Sequence, residues 1–197
     1  AGDVLPELRL AQAEPGLIRT AGGLDASVST AAATRSEVLD AFDDADAIVH
    51  IAAHGIASKG RLGYSGLWLA GSDGGNPDFL SWLDVIEHRI RAPLIVLNAC
   101  QLGEDSGAIA NGSSSFAQAL VLAGASQIVA AQWPVSDSAT GLWVPAFYAA
   151  LAADPERDGW NALRAAQLRL RQSRAFRHPY YWASLAGFSR MAVGAER

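Results

Sequence analysis

Two short apolar runs, each closed by a chemically reactive side chain, constrain the fold of this chain most. They read AIVHIAAHG (47–55) and LIVLNAC (94–100). Both are nearly continuous in apolar residues instead of alternating, which is typical of a strand buried on both faces of a parallel sheet. The sequence therefore predicts two buried strands that lead directly to His54 and to Cys100.

Helical patterns separate these and other strand patterns. The segment 33–42 has helical spacing, with Thr34 as N-cap and Glu37 placed to complete a capping box. The alternation predicts an α/β fold with a largely parallel sheet. Further helices are predicted at 80–90, 116–125, 140–152 and 160–173, strands at 26–30 and 127–133, a hairpin arm at 66–75 and a polar loop at 101–115.

Composition narrows the class of protein and of partner. The net charge of −5 and a pI near 5.3 do not suggest a nucleic-acid-binding surface. The single cysteine cannot form an internal disulfide, and no stretch reaches the roughly 18 apolar residues of a membrane span. We expect one domain over 1–197, cytoplasmic, with a small molecule or a protein as partner. Because the chain begins without Met, on a helical pattern, we expect a fragment of a longer protein.

The ends of the predicted strands indicate one reactive crevice. In open α/β sheets, ligands bind outside the carboxyl ends of the strands, which here carry His54, Gly55, Cys100, Gln101 and the segment 134–137. A nucleophilic thiol needs a neighbouring base or imidazolium, and His54 lies 46 positions before Cys100. The N–H groups of Gly55 and Cys100 suit an oxyanion hole. Lone cysteines are also commonly buried structural residues, so the pattern alone leaves both interpretations open.

Several blocks between residues 34 and 188 resemble one known family, the CHAT domain, a caspase-like family of cysteine peptidases commonly attached to tetratricopeptide repeats. The resemblance implies a caspase or haemoglobinase fold of three α/β/α layers, with His54 as base or imidazolium partner and Cys100 as nucleophile. The chain departs from the family at Asn98, where a small hydroxyl residue is usual, and at Leu102, where Thr is usual. The family's first strand is expected before residue 1, so we expect either that it lies in a preceding segment or that the sheet is one strand short. The blocks are ATRSEVLDAF, IVHIAAHG, LIVLNACQLG, LAGASQIVAAQWPVSDSAT, FYAAL, ALRAAQLRL and HPYYWASLAGF.

Two further polar residues are candidates for substrate binding. Asp137 follows the strand at 127–133 and could favour a basic substrate residue before the cut; alternatively it caps a helix that begins near residue 138 or 140. Gln101 tentatively lines the same cleft. His50 and His54 would lie roughly 13 Å apart on one strand, too far to share a metal ion, so His50 is predicted to be a packing residue. We expect no metal and no cofactor.

Aromatic and basic residues complete the predictions. Arg164, Arg171 and Arg174 lie near one face of the last helix, which is typical of a solvated amphipathic helix and alternatively of a docking surface for an attached domain. Core positions are predicted for Trp133, Trp143, Trp160 and Trp182.

The favoured function is a cysteine endopeptidase that acts through a Cys-His dyad and an acyl-enzyme. Its partners would be a protein or peptide substrate and a repeat-domain regulator, attached or separate, with no nucleic acid or membrane. The alternative is a catalytically silent caspase-like module that mediates protein–protein interaction. A redox-active thiol is a third interpretation, which the absence of a C-x-x-C pair disfavours.

Overall fold

A computed structural model of the chain describes residues 13–22, 33–56, 65–72, 76–99, 111–133 and 136–190. The helices are α1 (Glu14–Gly22), α2 (Arg35–Asp43), α3 (Trp82–Glu87), α4 (Asn111–Ala123), α5 (Asp137–Ala153), α6 (Gly159–Gln172) and α7 (Pro179–Trp182). The strands are β1 (Ile48–Ile51), β2 (His54–Ile56), β3 (Gly66–Leu69), β4 (Asp78–Ser81), β5 (Leu94–Leu97), β6 (Gln127–Ala131) and β7 (Leu185–Phe188). The strand predicted at 26–30 lies outside the described residues.

The main sheet has four described strands in the order β1-β5-β6-β7. β1, β5 and β6 are parallel, with Ile51 paired to Leu97 and Leu97 to Ala130. This confirms the prediction of a largely parallel sheet. The edge strand β7 runs antiparallel to β6 and had not been predicted, because LAGF is short and carries a glycine.

Helices cover both faces of this sheet, which gives the three layers expected from the sequence. Successive residues of a strand point to opposite faces, and the core divides accordingly. On one face Ile95, Leu97 and Ile128 pack with Phe42 of α2 and Phe116 of α4. On the other face Leu94, Val96 and Val129 pack with Ile18 of α1, Phe147 of α5 and Leu170 of α6. Both faces are apolar, which explains why the strands read as continuous apolar runs.

An antiparallel arm of three strands, in the order β2-β3-β4, follows β1. The prediction that the apolar run at 47–55 forms one strand is therefore wrong. β1 ends at Ile51, and a second strand, β2, begins at His54 in a different sheet. The helix predicted from residue 80 begins at Trp82, because the chain is still paired in β4 up to Ser81. Ser81 then caps α3 through a capping box with Asp84.

Two helix beginnings test the local sequence rules. The capping box of α2 is confirmed, since the Thr34 hydroxyl accepts from the Glu37 N–H and the Glu37 carboxylate accepts from the Thr34 N–H. α4 begins at Asn111, not at Phe116, so the predicted loop at 101–115 is too long. Asn, Gly and Ser are common in loops, and this composition concealed the first turn of the helix.

The arm that carries His54 should depend on the glycine at the start of β3. A Cβ at Gly66 would meet the backbone carbonyl oxygen of Leu80, which cannot move aside without disturbing the β3–β4 pairing. We expect Gly66→Ala to lower the free energy of unfolding by about 1–3 kcal/mol. Gly141→Ala is the matched control, because its Cβ meets open space inside α5, and it should raise stability by roughly 0.5–1 kcal/mol. Urea unfolding of both variants measures the difference, and equal effects would contradict the packing argument.

Candidate active site

The predicted dyad follows the carboxyl ends of two neighbouring parallel strands. Ile51 and Leu97 are register partners, and the Asn98 N–H donates to the Ile51 carbonyl oxygen at 2.9 Å. His54 is three residues beyond Ile51, and Cys100 is three residues beyond Leu97. Cys100 and Gln101 lie outside the described residues. The structure therefore describes the strand end that precedes each of the two residues. For His54 it also describes the strand β2 to which the residue belongs.

His54 and Gly55 both belong to β2, at the start of the antiparallel arm. His54 is partly buried and pairs with Trp68, whereas Gly55 is buried opposite Leu67. β2 is the edge strand of this three-stranded sheet, so part of its backbone points away from β3. Trp68 also packs against Phe79 of β4, with ring centroids 4.9 Å apart, which stabilises the strand to which the His54 strand is paired.

Directly behind the ends of β1 and β5 lies a buried polar network, here called the Glu14 network, formed by Glu14, His50, Asn98 and Tyr148. His50 Nε2 lies 2.6 Å from Glu14 Oε2, and Asn98 Nδ2 donates to Glu14 Oε1 at 2.6 Å. His50 Nδ1 lies 2.8 Å from Tyr148 Oη. The carboxylate is only 2% exposed, so each of its oxygens is satisfied by protein donors in place of water.

The protons in the Glu14 network can be assigned from the chemistry of its ends. Burial, and then the nearby Glu14 carboxylate, raise the pKa of Tyr148 far above its usual value, so its hydroxyl keeps its proton. An order in which Tyr148 donates to His50 Nδ1, and His50 Nε2–H donates to Glu14, satisfies all three groups. Trp143 stacks on the imidazole with centroids 6.5 Å apart.

His50 is largely shielded, as predicted, but the hydrogen bonds of the Glu14 network were missed. Both ring nitrogens have protein partners, which leaves neither for a metal. Glu14 lies 36 residues before His50 on a helix, and no periodicity or motif joins them. The one signal available was Asn98, a polar residue at the end of an apolar strand where the family usually has a hydroxyl.

Asp137, a sequence-predicted residue, follows β6, the third strand of the sheet. Asp137 is the first residue of α5, and the cap is Ser136, whose hydroxyl accepts from the Ala139 N–H at 3.4 Å; capping by Asp137 is therefore wrong by one position. The Asp137 side chain lies outside the described part of the structure. Its place in the first helical turn nevertheless suits a carboxylate, since the helix dipole is positive there.

The tryptophan predictions hold for three of the four residues. Trp143 is 1% exposed, and Trp160 and Trp182 pack against the core. Trp133 is not a core residue: it is partly exposed, and its Nε1 donates to the Tyr180 carbonyl oxygen at 2.9 Å. It lies just beyond β6 on a loop that leaves the sheet, where a strand-like pattern had suggested burial.

The arginine face of α6 agrees with the solvated amphipathic helix. Arg164 and Arg171 are exposed, and Arg174, just beyond the helix, is exposed too. Leu163 and Leu170 are buried on the opposite side.

An open depression of about 540 Å³ lies at the amino ends of the parallel strands, opposite the predicted active site. Ile48, Leu94 and Gln127, the first residues of β1, β5 and β6, line it together with Asp46 and Asp158. Chemistry in open parallel sheets gathers at the carboxyl ends of the strands, so we do not place the active site in this depression.

The described residues contain neither a metal-binding cluster nor a membrane-spanning helix. Within those ranges, no group of three or more His, Cys, Asp and Glu side chains is arranged to hold a metal ion. In the same ranges, no helix combines the length and apolar character needed to cross a membrane.

A mostly parallel sheet between helical layers, with an antiparallel arm after its first described strand, defines a caspase-like α/β protein. The match to a family model is specific: residues 4–195 fit the CHAT domain, and the chain belongs to this family. Over 105 residues, which are 53% of the chain, it is 32% identical to tetratricopeptide repeat protein 28 of Mus musculus. It is 31% identical over 117 residues to the Homo sapiens protein of that name, covering 59%. Each alignment covers 4% of the relative's own length.

Proposed function

We propose that this domain is a cysteine endopeptidase. The Cys100 thiolate attacks the scissile carbonyl carbon and forms a C–S bond, while the N–H groups of Gly55 and Cys100 stabilise the oxyanion. The His54 imidazolium gives its proton to the leaving amine as the C–N bond breaks. Water then attacks the thioester, His54 accepts a proton from it, the C–S bond breaks, and the acid product leaves.

The observation that carries the proposal is the pairing of Ile51 with Leu97. Neighbouring strands lie about 4.8 Å apart, and consecutive Cα atoms are about 3.8 Å apart. Two residues that each follow these register partners by three positions are thus within reach of one another by chain length alone. Membership of a caspase-like family supports the same assignment of His54 and Cys100.

Substrate preference is a finer part of the proposal. Asp137 follows β6 and Gln101 follows β5 in the sequence, and we propose that both contribute to the crevice at the carboxyl ends of these strands. A carboxylate at this edge would select Arg or Lys as the residue before the cut, through a charge-assisted hydrogen bond.

A repeat-containing regulator is the partner that we propose. The relatives are named for tetratricopeptide repeats, and the matched regions are small parts of them. We propose that such repeats, in the same protein or in a separate one, present substrates to the domain or regulate its activity.

A labelling experiment tests the peptidase directly. Because Cys100 is the only cysteine, any thiol adduct on the chain reports on this residue. We expect peptidyl acyloxymethyl ketones to label the wild-type protein, most rapidly with Arg or Lys before the reactive group, and to leave Cys100→Ala unlabelled. Intact-mass spectrometry measures the adduct, and Asp137→Asn tests the preference for basic residues.

The same labelling is repeated in the presence of the proposed repeat-containing partner, attached or separate. Failure of every peptidyl ketone of the series to label the domain, with and without that partner, would contradict the peptidase. It would support the alternative, a catalytically silent caspase-like module that mediates protein–protein interaction.

A further inference from the structure

The Glu14 network connects helix α1 to the strand that leads to the nucleophile. Glu14 is the first residue of α1, and its two carboxylate oxygens bind side chains from two different strands. His50 belongs to β1, and Asn98 follows the last residue of β5. A single buried carboxylate thus fixes the end of β5 against β1, on the helical layer formed by α1, α5 and α6.

We infer that Glu14 is a positioning residue that sets the exit of β5 and thereby the place of Cys100. The inference rests on the proposed function in one respect, namely that Cys100 is the nucleophile. Glu14 acts through Asn98, which precedes the nucleophile by two residues, and does not itself contact substrate.

The Asn98 side chain depends on Glu14 for its orientation. Asn98 is 7% exposed, and its Oδ1 atom is buried and receives no hydrogen bond from the described residues. The amide is therefore held by its Nδ2 donor to Glu14, and the backbone of Asn98 is held by its N–H donor to Ile51. Without the carboxylate, the hydrogen bond from the Asn98 N–H to the Ile51 carbonyl oxygen would be the remaining described hydrogen bond of Asn98.

The position of Asn98 makes such a restraint effective. Only Ala99, which is 5% exposed, separates Asn98 from Cys100, so a shift of Asn98 is passed along two peptide units. Productive attack requires the reacting atoms to be about 3–3.5 Å apart, and a misplacement of 1 Å can lower a rate roughly 100-fold. Loss of the carboxylate that holds this exit in place is therefore expected to lower turnover in addition to stability.

The test compares Glu14→Ala and Asn98→Ala with Glu14→Gln. The amide of Glu14→Gln still accepts from Asn98 through its oxygen. Its nitrogen can donate to His50 Nε2 when the imidazole proton moves to Nδ1, with the Tyr148 hydroxyl as acceptor, so the contacts persist without the charge. We expect the two alanine variants to lower kcat/KM roughly 10–100-fold and to shift the pH midpoint of Cys100 alkylation by iodoacetamide. Glu14→Gln should stay close to wild type in both measurements.

Leu170→Ala is the matched control, because it destabilises a buried position of α6 that belongs to the same core face but not to the Glu14 network. Urea unfolding of all variants identifies conditions in which each is folded. If the alkylation profiles of the alanine variants coincide with that of Leu170→Ala, the positioning role is overturned. If Glu14→Ala does not fold, Asn98→Ala carries the test, since it keeps the pair of Glu14 with His50.

The result is separable from the test of the peptidase. Alkylation of the single cysteine needs no turnover, so its pH midpoint reports on the place of the thiol even in a protein that no peptidyl ketone labels. A shifted midpoint without ketone labelling would support the positioning role and contradict the peptidase. Ketone labelling with an unshifted midpoint and unchanged kcat/KM in the alanine variants would do the reverse.

Discussion

Replacing His54 by alanine is expected to lower kcat/KM for peptide cleavage by about 10²–10⁴-fold. The imidazole has two tasks in the proposed reaction: it keeps Cys100 as thiolate, and it delivers the proton without which the amine cannot leave. A loss of this size corresponds to about 2.7–5.4 kcal/mol of transition-state stabilisation. Steady-state cleavage of the peptide that gives the fastest labelling measures it, and His54→Ala should also shift the midpoint of Cys100 alkylation to higher pH.

His88→Ala provides the matched control for this variant. The His88 Nε2 atom lies 3.1 Å from the Leu39 carbonyl oxygen, in the segment after α3 and away from the carboxyl ends of β1 and β5. His88→Ala therefore removes an imidazole that has no proposed chemistry, and it should leave kcat/KM unchanged. Equal activities of the two variants would remove His54 from the mechanism even if Cys100 remained reactive.

The effect of His54 would also separate the three interpretations of the thiol. A buried structural cysteine would react slowly in wild type and in His54→Ala alike. A redox thiol without a resolving cysteine would react with iodoacetamide in both proteins but would cleave no peptide. Only a Cys-His dyad predicts that labelling, cleavage and the alkylation midpoint all change together when one imidazole is removed.

The main sheet was predictable because its strands are buried on both faces. LIVL is apolar at every position and QIVAA at every position after Gln127, so the sequence indicates both the strands and the helices that must cover them. The break between Ile51 and His54 could not be read in this way, since Ala52 and Ala53 continue the apolar run although the chain changes sheets there. Pairing between strands distant in sequence decides such a break.

In the candidate site, too, local signals could be read from the sequence and long-range contacts could not. His54 could be proposed from the sequence because it directly follows an apolar run, a local signal that needs no knowledge of the fold. Glu14 was missed because its role exists only once α1 packs beside β1 and β5, which brings residues 36 and 84 positions apart into hydrogen-bond contact. A carboxylate in the first turn of a helix is ordinarily a solvated residue that favours the helix dipole, and that common role conceals the rarer one.

The largest expected effect on stability is that of His50→Leu. This substitution removes one of the two partners of the Glu14 carboxylate and the acceptor of the Tyr148 hydroxyl, and both groups remain buried. Breaking a buried, hydrogen-bonded pair on one side typically costs about 3–5 kcal/mol, because the remaining charge has lost its compensation. Urea unfolding should therefore show a loss of this size, whereas Tyr148→Phe, which leaves the carboxylate paired but removes the hydroxyl next to His50 Nδ1, should cost about 1–3 kcal/mol.

A double-mutant cycle shows whether the charge of Glu14 is the cause. In a Glu14→Gln background the group left behind by His50→Leu is a neutral amide, whose burial without a partner costs about 1–3 kcal/mol. The loss caused by His50→Leu should accordingly be smaller there than in wild type. An equal loss in both backgrounds would mean that His50 stabilises the protein by packing against Trp143 alone. The carboxylate would then contribute no stabilising interaction with the imidazole. Its effect on Asn98 would have to be tested separately, by the pH profile of Cys100 alkylation in Asn98→Ala.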